Sequence, residues 1–217
     1  IKLSANRREA MAKAVERWDA DRLDGAAAGR PLDDYLLLTD ASNVEVDALN
    51  RLAQARRDVA GELGDEAVRV VAGDPRTAHH RDEVIRVGDR VVFERRFVPV
   101  DDMGHRQRRV ENGSIGTVVG IDPTRGAVTV QVGQRPVAVA AAEVDALRLG
   151  YAQHIYSAQG RTVERSYVVL GGWQTDRERS YVGVSRSRGA SVVFADYDSL
   201  GVDAGRREEA LGILAQR

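Results

Sequence analysis

The segment Tyr181-Val182-Gly183-Val184-Ser185-Arg186-Ser187-Arg188 concentrates the chemistry of this chain. Its spacing places Arg186 at the turn of an expected helix that carries no other reactive side chain. A guanidinium in that position offers planar, always-charged hydrogen bonding, and its best partner is the phosphate of a nucleotide bound elsewhere. A second cluster lies upstream in Tyr151-Ala152-Gln153-His154-Ile155-Tyr156-Ser157-Ala158-Gln159-Gly160-Arg161-Thr162-Val163. It combines hydrogen-bonding groups with an aromatic ring that can stack on a base, and with a glycine that permits close backbone approach.

Other chemistry is excluded by residue type. A phosphate-binding loop needs Gly-x-x-x-x-Gly-Lys-Ser/Thr, and the two lysines present, Lys2 and Lys13, do not follow glycine. These residues therefore cannot carry a complete ATPase. The absence of cysteine rules out disulfides and thiolate metal sites. His79, His80, His105 and His154 lack ligand spacing, so the adjacent His79 and His80 read as a solvated loop and no metal site is expected. Leu36–Asp40 and Val192–Asp196 look like Walker B strands ending in aspartate. Without a phosphate loop they read as ordinary buried strands.

The chain has 217 residues, 43% of them hydrophobic, enough for one large domain or for one domain bearing a smaller insertion. The net charge of -1 argues against a generic nucleic-acid coat, so any DNA contact must come from a local surface. Arg95, Arg96, His105, Arg106, Arg108 and Arg109 form one candidate: they outnumber Asp101 and Asp102 and suit phosphates or simple solvation equally. No apolar run is long enough to span a bilayer and no signal sequence is evident, so a cytoplasmic protein without membrane insertion is expected.

Helical spacing of Met11, Ala14, Val15 and Trp18 predicts a helix from a Ser4 cap to about Leu23, with Arg22 outside its apolar stripe. Tyr35–Thr39 reads as a buried strand, 43–60 as a helix packed through Val46, Leu49, Leu52 and Ala53, and Val68–Val71 as a strand. From Val84 to Leu147 short β runs alternate with turns at Gly88-Asp89, Asn112-Gly113 and Arg125-Gly126, which predicts a small barrel inserted in an α/β domain. Strands near 149–153, 166–170 and 190–195, and a helix over 175–187 with Tyr181, Val182 and Val184 in the core, complete the pattern.

The octapeptide resembles motif VI of superfamily 1 DNA helicases, and the Tyr151–Val163 segment resembles their motif V. Leu36–Asn50 is similar to motif IV. The β insertion between motifs IV and V, with Val110–Val118 similar to the barrel sequence, resembles the RecD-type, superfamily 1B branch and conjugative relaxase-helicases. The resemblance covers about 35–196. It implies an α/β fold: a RecA-like (P-loop NTPase-type) second motor domain lacking the P-loop, with an inserted all-β SH3-like barrel. The expected layout is 1–83 and 148–200 as motor domain, 84–147 as barrel and 201–217 as a terminal tail or helix.

The same resemblance implies the C-terminal half of an ATP-dependent DNA helicase or translocase, within a relaxase that nicks and unwinds plasmid DNA. Arg186 would be the catalytic arginine finger, and Gln159 and Gly160 would join it at the nucleotide. Asn43, His154, Tyr156 and Ser157 would line the single-stranded DNA track. ATP and Mg2+ would be bound mainly by the N-terminal motor domain of the same protein, the second partner besides single-stranded DNA. Three track positions depart from Thr-x-His-Lys-x-Gln-Gly: His154 stands for threonine, Tyr156 for histidine and Ser157 for lysine. Ala41 replaces a motif IV arginine, and Asn43 could serve DNA or merely begin its helix. The alternative function is a free-standing, non-hydrolytic DNA-binding or protein-interaction module.

Overall fold

A computed structural model describes residues 1–74, 76, 80–100, 105–158, 160–172 and 175–216. His79, Asp101 and Asp102 lie outside the described residues. In chain order the elements are β1 (Lys2–Ser4), α1 (Arg7–Ala27), β2 (Tyr35–Thr39), α2 (Asn43–Val59), β3 (Ala67–Ala72), β4 (Arg81–Arg86) and β5 (Arg90–Phe93). There follow β6 (Ile115–Asp122), β7 (Ala127–Val132), β8 (Arg135–Val139), β9 (Leu147–Leu149) and β10 (Ala152–His154). β11 (Val163–Val169), α3 (Arg177–Val184), β12 (Ser187–Asp196), α4 (Tyr197–Leu200) and α5 (Arg207–Gln216) complete the chain. Two compact units result, one made of 1–53 with 152–217 and the other of 54–151.

The first unit is built on a parallel sheet of order β1-β12-β11-β2-β10. Every residue of β2 is buried, the pattern expected of a parallel strand covered on both faces. Leu36, Leu38, Val168 and Leu170 form one core with Ile155, Ala158 and Val163, against which Val182 of α3 and Leu214 of α5 pack. α1 lies along β1, β2, β11 and β12. There the Trp18 indole donates to the Tyr35 carbonyl (3.3 Å) and the Tyr167 hydroxyl to Asp21 (2.7 Å). Gly25 is required at that contact, because a Cβ would sit 1.7 Å from the Tyr35 hydroxyl oxygen. The strands β2, β10 and β11 end level with one another, through the pairs His154–Thr39 and Val169–Thr39, and β12 runs on to Asp196, two residues beyond the Phe194 that pairs with Val169. In open α/β sheets this carboxyl edge is where ligands gather.

Several expectations are corrected here. Ser4 does not cap a helix: it ends β1, beside Asp196, and the Asn6 side chain accepts from the Glu9 amide instead. A three-residue strand whose partner lies at the other end of the chain leaves no local periodicity to read. Arg22 is buried, with its guanidinium 5.0 Å from the Trp18 ring centroid. The apolar stripe was read from residue type alone, which overlooks how an arginine stem covers an aromatic face. The strand expected near 149–153 is two strands, β9 and β10, in different sheets.

The second unit contains the antiparallel hairpin β3–β4 and an antiparallel sheet of order β8-β7-β6-β5-β9. Val91, Phe93, Val118, Val128, Val130, Val137, Val139, Leu147 and Leu149 form its buried apolar side chains. A bulge between Val118 and Gly120 bends β6. Asp89, fully buried, accepts from the Tyr151 hydroxyl (2.6 Å), Gln54 (2.6 Å) and the Arg86 amide (2.7 Å). Burial raises its carboxyl above the usual range despite these donors. Among the described residues β8 and β9 are the two edges of this sheet.

Candidate nucleic-acid and nucleotide site

At the carboxyl edge of the parallel sheet, β10 ends in His154 and the chain turns through Tyr156–Ala158. The turn is held at both ends. The Ile155 amide donates to the Thr39 carbonyl (3.1 Å) and Ala158 to Ile155 (3.2 Å), with both side chains in the core. Tyr156 and Ser157, between the two anchors, are therefore exposed, Tyr156 by 50%. His154 Nε2 lies 2.9 Å from Asn43 Oδ1, which brings two sequence-predicted track residues together at the first turn of α2.

A cavity of about 270 Å³ opens here, lined by Thr39, Asp40, His154, Ile155, Tyr156, Ser157 and Arg179. The Arg179 guanidinium sits 5.2 Å from the Tyr156 ring centroid, in cation–π contact, and 3.3 Å from Asp176. Asp40, one of the lining residues, belongs to a hydrogen-bond network. Arg7 donates to Glu45 (2.9 and 2.8 Å), to the Leu170 carbonyl (2.6 Å) and to Asp40 (3.4 Å). Thr175 also donates to Asp40. Burial pushes the Asp40 carboxyl up, against the opposing effects of Thr175 and Arg7. Asp40 and Asp196 thus serve structure: Asp196 accepts from the Ser199 amide at the start of α4 (2.8 Å).

Arg179 and Arg7 were not singled out by sequence reasoning. A signal for Arg179 did exist. Arg177 and Arg179 sit in the first turn of α3, where the helix dipole disfavours cations, and a broken local rule marks a position held for another purpose.

The remaining candidates lie at the opposite, amino edge of β11 and β12. Arg186 follows α3, its carbonyl accepting from the Val163 amide (2.9 Å). Its guanidinium folds back on the helix end, with Nε donating to the Val182 carbonyl (3.0 Å) and Nη2 to Ser185 Oγ (2.9 Å). Gly160, exposed, takes φ +80°, a backbone that side chains rarely adopt. Gln159 lies outside the described residues. The helix is shorter than the expected 175–187, because Ser185 caps it and Ser187 already pairs with Val163. Nor do all three expected anchors reach the core. Tyr181 is 71% exposed and Val184 is exposed, while Val182 and Gly183 face inward. Among the described residues no group of three or more His, Asp or Glu could hold a metal ion, and no helix is long and apolar enough to cross a membrane.

No family profile matches the sequence, and no curated protein matches it. Solved structures do match by fold. Bacteroides Pif1 bound to ssDNA is similar at 18% identity and a TM-score of 0.50, over 73% of this chain and 40% of that one. Pif1 helicase from Bacteroides in complex with ADP-AlF3 and ssDNA is similar at 17% identity and a TM-score of 0.50, over 89% of this chain and 50% of that one. The chain thus spans half or less of the length of these structures. At such identity the likeness is one of fold: the parallel sheet with its helices resembles a domain of these helicase structures.

Proposed function

We propose that this chain is the second motor domain of a superfamily 1B DNA helicase or translocase, and that it grips single-stranded DNA at the carboxyl edge of its sheet. One observation carries the reading. Asn43, at the start of α2, meets His154 beside a cavity lined by His154, Tyr156 and Ser157, with an exposed ring for a base and Arg179 for a phosphate. Gly160 and Arg186 at the other edge form the nucleotide face, and Gln159 belongs to the same motif. Arg186 would leave its helix-end partners to meet the transferring phosphoryl group, whose spreading negative charge a guanidinium stabilises. These residues suit phosphate contact, and ATP with Mg2+ would be held mainly by the N-terminal motor domain of the same protein.

The 54–151 unit is read as the inserted SH3-like domain, on the strength of its antiparallel sheet between the motif IV and motif V segments. The Val110–Val118 resemblance supports a conjugative relaxase-helicase as the parent. The test is fluorescence anisotropy of a labelled dT16 strand with the chain and its Tyr156→Ala variant. Loss of one base stack, about 1–3 kcal/mol, should weaken binding roughly 5- to 150-fold. Unchanged affinity would remove Tyr156 from the track.

A further inference from the structure

We infer that the 54–151 unit carries a second nucleic-acid contact, an arginine groove that takes the phosphodiester backbone and not the bases. The inference rests on the reading of the chain as nucleic-acid-binding. The sequence suggests a basic loop without saying which arginines are available, and the structure sorts them. Arg95 is committed to Asp145 through two bonds (2.9 and 2.7 Å), and Arg96 lies 3.4 Å from Glu111, which Arg109 also binds. Arg108 and Arg135 have no carboxylate partner among the described residues. Arg135 comes from β8, remote in sequence from that loop, and is turned toward it by donating to the Arg108 carbonyl.

These side chains wall a groove of about 420 Å³ with Arg109, Glu111, Ser114 and Gln134. Three guanidinium groups face one carboxylate there, in a chain whose net charge is only -1, so the positive charge is local. Arginines left unpaired beside one another repel, and an anion relieves this while using their fork geometry. Among the described residues the lining holds no aromatic ring on which a base could stack. Contact with successive phosphates, without sequence readout, is what remains.

The test compares Arg108→Ala/Arg135→Ala with a control that loses the same charge elsewhere, Arg69→Ala/Arg125→Ala, whose arginines pair with Asp82 and Asp122, using the full chain, labelled dT16 and a 16-base-pair duplex across a salt series. Each lost phosphate contact should reduce the slope of log K against log salt by about 0.7 on single strands, so the groove variant should lose about 1.4. The control should keep the wild-type slope. The probe on which the loss is seen identifies single strand or duplex as the occupant. A groove variant with wild-type slopes on both probes overturns the inference, and a Tyr156→Ala variant weakened in the same series would show that the track reading survives it. Conversely, a groove variant that loses slope while Tyr156→Ala binds normally supports the groove and sinks the track. Wild-type chain that binds neither probe overturns both. A direct readout guards against a misfolded variant: DNA should slow phenylglyoxal modification of Arg108 and Arg135 in the wild-type chain, read by mass spectrometry, and equal rates with and without DNA would refute the groove.

Discussion

Arg179 is the part of the candidate track that the structure adds to the sequence reading, through its contact with the Tyr156 ring. The guanidinium covers one face of the ring, so an incoming base must take the other face or displace it. Arg179 also approaches Asp176, which offsets the cost of a cation in the first turn of α3. If the arginine meets a phosphate while the ring meets a base, its loss should be electrostatic in character. Arg179→Ala is therefore expected to lower the salt slope of single-strand binding by about 0.7, whereas Tyr156→Ala should weaken binding with the slope unchanged. Salt titrations of the two variants separate the roles, and identical slopes for Arg179→Ala and wild type would assign Arg179 to structure. Tyr156, His154 and Asn43 could be singled out from residue type and motif order. Arg179 shows in the sequence only as a cation set against the helix dipole, and its contact with Tyr156 does not show, because it depends on a turn 23 residues away coming to rest against α3.

At the scale of elements, the contact between α1 and β11 turns on one carboxylate. Asp21 accepts from Arg17 (2.8 Å) and Tyr167 (2.7 Å) and pairs with Arg165 (2.9 Å). Burial raises its pKa, but hydrogen bonds from Arg17, Tyr167 and Arg165 outweigh this and hold it below the ordinary 3.8. Because the folded value lies below the unfolded one, the stabilisation is present above about pH 4 and disappears as pH falls through the folded value. Asp40 and Asp89, both raised by burial, act in the opposite sense: their ionisation costs stability as pH rises through their folded values. Asp21→Asn should cost on the order of 1–3 kcal/mol at neutral pH. It should also flatten the acid limb of a urea-denaturation series, and an unchanged acid limb would show that the network adds nothing. The helices and strands on either side of this contact were legible from apolar spacing, but Asp21 was not. A helical aspartate reads as solvated until the sheet places Tyr167 beneath it.

At the scale of the molecule, the parallel-sheet unit is discontinuous in sequence, since β2 and β10 are neighbours although the whole of 54–151 falls between them. The short antiparallel strands between Arg90 and Leu149 were legible because period-two runs replaced the helical rhythm. Sheet order was not, because the pairing of β1 with β12 joins the two ends of the described chain and no local signal reports it. The parallel unit also sets the two candidate sites at opposite edges of one sheet, joined by the stretch from Ile155 to Thr162 that runs from the end of β10 to the start of β11. A chemical step at Arg186 and a grip at Tyr156 are thus separable by mutation. When the chain is joined to a P-loop motor domain of its parent protein, DNA-stimulated ATP hydrolysis should appear, and Arg186→Ala should reduce kcat by roughly 10³- to 10⁵-fold. Affinity for dT16 should stay within about twofold of wild type, since the guanidinium bonds to the Val182 carbonyl and Ser185 Oγ at the amino edge, away from Tyr156. Steady-state turnover and anisotropy measured on the same preparation decide the matter: undiminished kcat in Arg186→Ala would leave the amino edge without its arginine finger.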